Sequence, residues 1–142
     1  MELLTFQTNA INALLKLMEE SERNIVLKSP TGSGKTIMMT HFMSEYLKGH
    51  PKNVFIWLTP GKGDLEEQSK NKMDTYIHNA QTKLLSDVMI SGFQENDCCF
   101  INWEKLTKKG NNALKDGEKN NFIKWVEEAY LKGIRFKVVI DE

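Results

Sequence analysis

The 142-residue sequence predicts an α/β domain, a three-layer arrangement with a parallel sheet between two layers of helices. Three observations carry that prediction. Short apolar runs of strand length alternate along the chain with longer amphipathic stretches of helix length. One run, residues 53–58 (NVFIWL), is apolar almost throughout, as a strand covered on both faces must be. And a glycine-rich turn at residues 29–36 separates a strand-like run from a helix-like one. With no repeats and no low-complexity segment, residues 1–142 read as one domain, long enough to bury a core.

Each element has its own signal. Over residues 5–20, Phe6, Ala10, Ile11, Leu14 and Met18 recur at spacings that place them on one helical face. Residues 24–28 (NIVLK) read as the first strand. The helix over 35–48 ends at Gly49, with Pro51 just beyond. After the 53–58 strand comes a helix over 64–77, with Leu65, Met73, Tyr76 and Ile77 facing inward. Residues 87–90 and 98–102 read as two shorter strands, joined by a linker whose Gly92, Asn96 and Asp97 suit a turn. Residues 107–118 read as a long loop. The cleanest helical pattern, Phe122, Ile123, Val126, Ala129 and Tyr130, spans 119–132 and stops at Gly133, and 136–140 (FKVVI) is the last strand.

Composition narrows the function. The content of 40% apolar and 27% charged residues is that of a soluble globular chain. No apolar run reaches the length of a membrane span and no signal-peptide layout opens the sequence, which points to the cytoplasm and away from a membrane. The net charge of +0 removes any bulk electrostatic pull on nucleic acid, so such binding has to come from local contacts. Lysines at 105, 108, 109, 115 and 119 cluster in a polar stretch whose plainest reading is a solvated loop. The two cysteines, Cys98 and Cys99, are adjacent, so a strand would send them to opposite faces, and neither zinc nor a disulfide framework is indicated. Trp57 and Trp103 read as packing residues, one inside a buried strand and the other at the end of one.

The turn Ser29-Pro30-Thr31-Gly32-Ser33-Gly34-Lys35-Thr36 has the makings of a triphosphate cradle. Many backbone N–H groups must converge on phosphate oxygens, and glycine allows both the tight turn and the close approach. The helix that follows adds unpaired N–H groups and the positive end of its dipole. Lys35 brings a cation to the β/γ-phosphates and Thr36 a hydroxyl for magnesium. The strict phosphate-loop pattern asks for glycine where this chain has Ser29; the strand–turn–helix context is otherwise the required one. A magnesium nucleotide also needs an acidic strand end nearby. The last strand runs straight into Asp141-Glu142, one carboxylate placed to hold the metal and the other to polarise water. ATP and Mg2+ are therefore the expected cofactors.

Taken together, these motifs resemble the first RecA-like lobe of superfamily-2 helicases. Residues 29–36 resemble motif I in its helicase form, where a small residue often replaces the first glycine. Asp141-Glu142 resembles the first half of the DEAD/DEAH-type motif II, and its separation of 106 residues from Lys35 suits that superfamily. Residues 58–68 (LTPGKGDLEEQ) resemble motif Ia in the form found in the Res subunits of type III restriction enzymes, and residues 100–106 (FINWEKL) resemble a segment of the same group. The resemblance covers essentially the whole chain. It implies that Phe6-Gln7 forms the upstream motif in which a glutamine amide reads adenine, and that Thr59, Pro60 and Gly61 touch the backbone of duplex DNA. It also implies a partner, the modification (methyltransferase) subunit that supplies sequence recognition. By that resemblance the rest of motif II, the second lobe and a nuclease domain lie beyond these residues, so the lobe is incomplete.

Two other readings share the same motifs: a different superfamily-2 DNA or RNA helicase, and a nucleotide-binding module that switches without translocating. In this superfamily arginines of the second lobe stabilise charge on the γ-phosphate, a contribution of roughly 10³ to 10⁵ in rate. These 142 residues alone are therefore expected to turn over ATP very slowly. Steady-state phosphate release with and without DNA checks this, and brisk DNA-stimulated turnover would refute it.

Overall fold

The computed structural model describes residues 2–20, 24–30, 32, 34–60, 64–104 and 116–141, with side chains from 122 onward in the last stretch. Four parallel strands form one sheet in the order β2-β3-β1-β4: β1 Asn53–Thr59, β2 Gln81–Leu84, β3 Asp97–Asn102 and β4 Arg135–Ile140. The helices are α1 Thr5–Glu19, α2 Lys35–Gly49, α3 Leu65–Tyr76, α4 Leu85–Ser91 and α5 Asp116–Leu131.

The centre is β1, paired in register with β3 on one side (Phe55 with Cys98, Thr59 with Asn102) and β4 on the other (Asn53 with Arg135, Leu58 with Ile140). Its alternate side chains feed two separate cores. Phe55 and Trp57, with Cys98 and Phe100 of β3, meet Ile11 and Leu14 of α1, Met38, Phe42, Met43, Tyr46 and Leu47 of α2, and Met73 of α3. Val54 and Ile56, with Cys99 and Ile101, meet Val88 of α4, Ala129 of α5, Phe93 and Ile134 on the other face. Thus α1, α2 and α3 cover one face and α4 and α5 the other. That division follows from topology. The β1-to-β2 connection moves across the sheet in one direction and the β2-to-β3 and β3-to-β4 connections in the other, so right-handed crossovers must switch faces.

The two cysteines do fall on opposite faces. Burial pushes the Cys98 thiol up to about 12, with the Asp97 carboxylate adding to the effect, and pushes Cys99 well above its ordinary value for the same reasons. Both are free and buried, so they act as small apolar side chains and not as nucleophiles.

Three expectations change. Residues 24–28 are not a strand. Their side chains alternate as a strand's would, with Ile25 and Leu27 packed on the α1–α2–α3 core and Val26 78% exposed, but the segment joins no ladder of the sheet among the described residues. The apolar alternation survives without the pairing that defines a strand. Residues 87–90 belong to helix α4 instead: the Asp87 carboxylate accepts the Leu84 N–H at 2.9 Å, which starts a helix there, and Ser91 Oγ donates to Asp87 O. The strand in this region is β2, one step earlier, which the polar sequence QTKL conceals. Helix α5 starts at Asp116, inside the stretch expected to be loop; residues 105–115 of that stretch lie outside the described residues.

The edge strand β2 is held by a buried charge. Asp97, 0% exposed at the start of β3, takes Lys83 Nζ at 2.7 Å, the Gln94 N–H at 2.7 Å and Gln81 Nε2 at 3.3 Å. Lys83 also donates to Gly92 O. Charge-assisted hydrogen bonds on both carboxylate oxygens offset the desolvation of the pair. We expect Asp97→Ala to cost about 3–5 kcal/mol, because it strands the Lys83 ammonium against the core. Urea unfolding checks this; a loss under about 1 kcal/mol would mean that the network contributes little.

Candidate nucleotide-binding site

The helix after the glycine-rich turn is aimed by its own packing. Helix α2 ends at Gly49 and reaches β1 after only three residues, so its C-terminus lies at the amino edge of the sheet. Met38, Phe42, Met43, Tyr46 and Leu47 hold it along the face of β1. Its 15 residues rise about 22 Å and the seven of β1 about 23 Å, so the N-terminus of α2 comes level with the carboxyl edge. That is the edge where open parallel sheets bind their ligands.

Gly34 is the residue that launches α2. It has φ 82° and ψ 39°, in the left-handed region, and its carbonyl accepts the first helical bond from the Met38 N–H at 3.0 Å. Gly32 is left-handed too, at φ 84°, with nothing within 4 Å of the place where a Cβ would sit. Among the described residues no side chain caps the helix and no acid stands in its first turn, which suits its leading N–H groups and positive dipole end to an anion. Lys35 is exposed and Thr36 half-buried in the first turn. Ser29 is half-buried and Pro30 exposed. Thr31, Ser33, Gly61 and Glu142 lie outside the described residues.

Asp141 follows β4 on the same edge. Its N–H donates to Leu58 O at 2.9 Å, which extends the β1–β4 ladder by one bond and leaves the side chain partly exposed beyond the last strand residue. Among the described residues no cluster of three or more His, Cys, Asp or Glu forms a ready metal cage.

The rest of the carboxyl edge departs from expectation in detail. Thr59 is 1% exposed, with Oγ1 buried and no hydrogen-bond partner among the described residues, whereas the next residue, Pro60, is exposed. The hydroxyl expected to reach a nucleic-acid strand is therefore turned inward, because Thr59 is still the last residue of a strand covered on both faces. Opposite it, Asn102 is buried and its Oδ1 accepts the Glu104 N–H at 2.9 Å, which bends the chain just past β3. Trp103, between them, is 50% exposed and not packed away. Gln7 is 7% exposed: its Oε1 accepts the Leu4 N–H at 3.0 Å and its Nε2 points at Gly34. The association of Gln7 with the glycine-rich turn is a contact that periodicity could not have shown.

A left-handed turn opening onto a helix end, on the ligand-binding edge of a parallel sheet, gives the chain the architecture of an α/β phosphate-loop lobe. The family model for the type III restriction enzyme res subunit matches residues 1–142, and the chain belongs to that family. It is thus a RecA-like, helicase-like ATPase domain of the type found in restriction enzymes. Comparison with curated proteins and with solved structures gives no match. Among the described residues no helix is long and apolar enough to cross a membrane.

Asp141→Asn should leave stability within about 0.5 kcal/mol, as for a partly exposed position whose ladder bond comes from its own backbone. It should abolish the part of nucleotide affinity that depends on Mg2+. Titration with nucleotide in magnesium and in EDTA checks this; an undiminished magnesium effect would remove Asp141 from the metal site.

Proposed function

We propose that the chain is the ATP-hydrolysing motor lobe of a DNA translocase, working in the Res subunit of a type III restriction endonuclease beside a modification (methyltransferase) subunit, in the cytoplasm. The observation that carries the reading is the bare N-terminus of α2, launched by a left-handed Gly34 at the carboxyl edge that also holds Asp141. In this reading the backbone of residues 29–34 wraps the phosphates and Lys35 neutralises charge at the β/γ bridge. Thr36 and Asp141 hold Mg2+ through a hydroxyl and a carboxylate, and Glu142 polarises the attacking water. The bound metal supplies charge neutralisation on the transferred phosphoryl group.

The face for DNA is the Thr59-Pro60-Gly61 corner. Contacts there go to the phosphate backbone of a duplex, with the exposed Pro60 outermost and Thr59 buried behind it, which demands no basic surface and is compatible with a net charge of +0. In this reading adenine is recognised by the Gln7 amide, as the resemblance of Phe6-Gln7 to the upstream motif implies.

Lys35→Ala tests the reading directly. Lys35 is exposed in the first turn of α2, so its loss should leave folding intact while weakening ATP binding about 10- to 100-fold, the worth of one charge-assisted contact to phosphate. Calorimetric titration of both proteins measures this. Equal affinity in the two would sink the nucleotide role of the loop.

A further inference from the structure

Phe55, Trp57 and Thr59 alternate onto the face of β1 that α1, α2 and α3 cover. Trp57 is 2% exposed and Thr59 1%, yet Nε1 of the first and Oγ1 of the second are buried with no hydrogen-bond partner among the described residues. Native interiors rarely leave such a group dry, because it has lost its water and gained nothing in exchange. Here there are two, and they are neighbours: side chains two residues apart on one strand face start about 7 Å from each other. No direct bond joins them. The indole N–H can only donate, whereas the hydroxyl donates and accepts, so one small group able to do both would satisfy the pair.

The layer over this pair is polar. Helix α3 leaves the carboxyl edge after β1, and its buried face carries Glu66 and Ser69 before Met73 enters the apolar core. Asn102, the register partner of Thr59, is buried as well. On the side of β3 the indole is closed off by carbon, with its ring centroid 5.4 Å from that of Phe100.

We propose that Trp57 and Thr59 hold one buried water molecule between β1 and the first turns of α3, with the indole N–H donating to the water and the water bonded in turn to the Thr59 hydroxyl. Water is the ligand this chemistry fits. It is small enough for a place where both side chains are almost wholly covered, and internal sites hold one where two to four polar partners surround it. Glu66 and Ser69 are the groups of α3 within that layer from which its remaining bonds come. The site draws on neither the nucleotide nor the DNA reading. It accounts for the inward turn of Thr59, whose hydroxyl is engaged beneath the corner that Pro60 begins.

Proton NMR tests this at the Trp57 indole N–H. A nuclear Overhauser cross-peak to water, with the sign of a long-lived internal molecule, is expected in wild type and in Thr59→Ser and should vanish in Thr59→Val. No such peak in wild type, or one that survives undiminished in Thr59→Val, overturns the proposal. Thermal unfolding then separates a bridging hydroxyl from one that is merely buried. A hydroxyl without a partner is improved upon by valine, which has the same shape, so Tm would rise. A hydroxyl bonded to water leaves that water and the indole one partner short, so Tm should fall by about 3–5 °C. An unchanged or raised Tm in Thr59→Val overturns the shared water whatever the NMR shows.

Discussion

Strand β1 has a parallel neighbour on each side and a core on each face, and the rest of the molecule is arranged around those four demands. Its hydrogen bonds are shared with β3 and β4, so the run NVFIWLT can lie in an apolar interior with its backbone paired. Its side chains then require cover above and below, which α1, α2 and α3 supply on one side and α4 and α5 on the other. Because all the strands are parallel, every loop that leaves a carboxyl end emerges on one edge. Burial at the centre thereby decides where chemistry can take place.

The same constraint orders the site. Helix α2 cannot slide along the sheet without withdrawing Met38, Phe42 or Leu47 from their core, so the position of Gly34 is set by packing along the helix, from Met38 one turn away to Leu47 about 20 Å away. Asp141 is fixed by one further rung of the β1–β4 ladder. The buried Asp97–Lys83 pair sits at the amino end of β3, away from this edge, and serves the attachment of β2. The two carboxylates thus stand in opposite settings, Asp97 buried in an ion pair at the amino edge and Asp141 partly exposed at the carboxyl edge.

Much of this was legible in the residues. Runs buried on both faces, such as 53–58 and 98–102, are apolar whatever follows them, and the facing of Cys98 and Cys99 to opposite cores needs only the period of a strand. Glycines 32 and 34 are informative because few other residues take their backbone angles. Less was legible where pairing, and not periodicity, decides. The segment 24–28 keeps a strand's alternation yet has no ladder, and QTKL forms a strand because β3 and Asp97 hold it there. Four apolar or polar residues in a row cannot distinguish a short helix from a strand; Asp87 under the Leu84 N–H was the local signal for α4. In the site, Thr59 looked like a surface hydroxyl because a turn motif follows it, and its burial depends on cross-strand neighbours that sequence does not place. Gln7 was singled out by motif, but its seat on Gly34 depends on how two helices meet.

Strand β4 adds a matter of handling. Among the described residues it pairs only with β1, so its outer row of N–H and C=O groups has no ladder partner there, and Val138 and Ile140 are 56% and 64% exposed. Its two charges, Arg135 and Lys137, lie toward its beginning, and the Arg135 guanidinium is stacked over Tyr130 at 4.2 Å. Between Lys137 and Asp141 the edge therefore carries no charged gatekeeper of the kind that keeps bare edges apart. With a net charge of +0, no long-range repulsion makes up the lack. The exposed Val138 and Ile140 thus leave this edge open to pairing between copies, which Val138→Lys or Ile140→Lys would oppose.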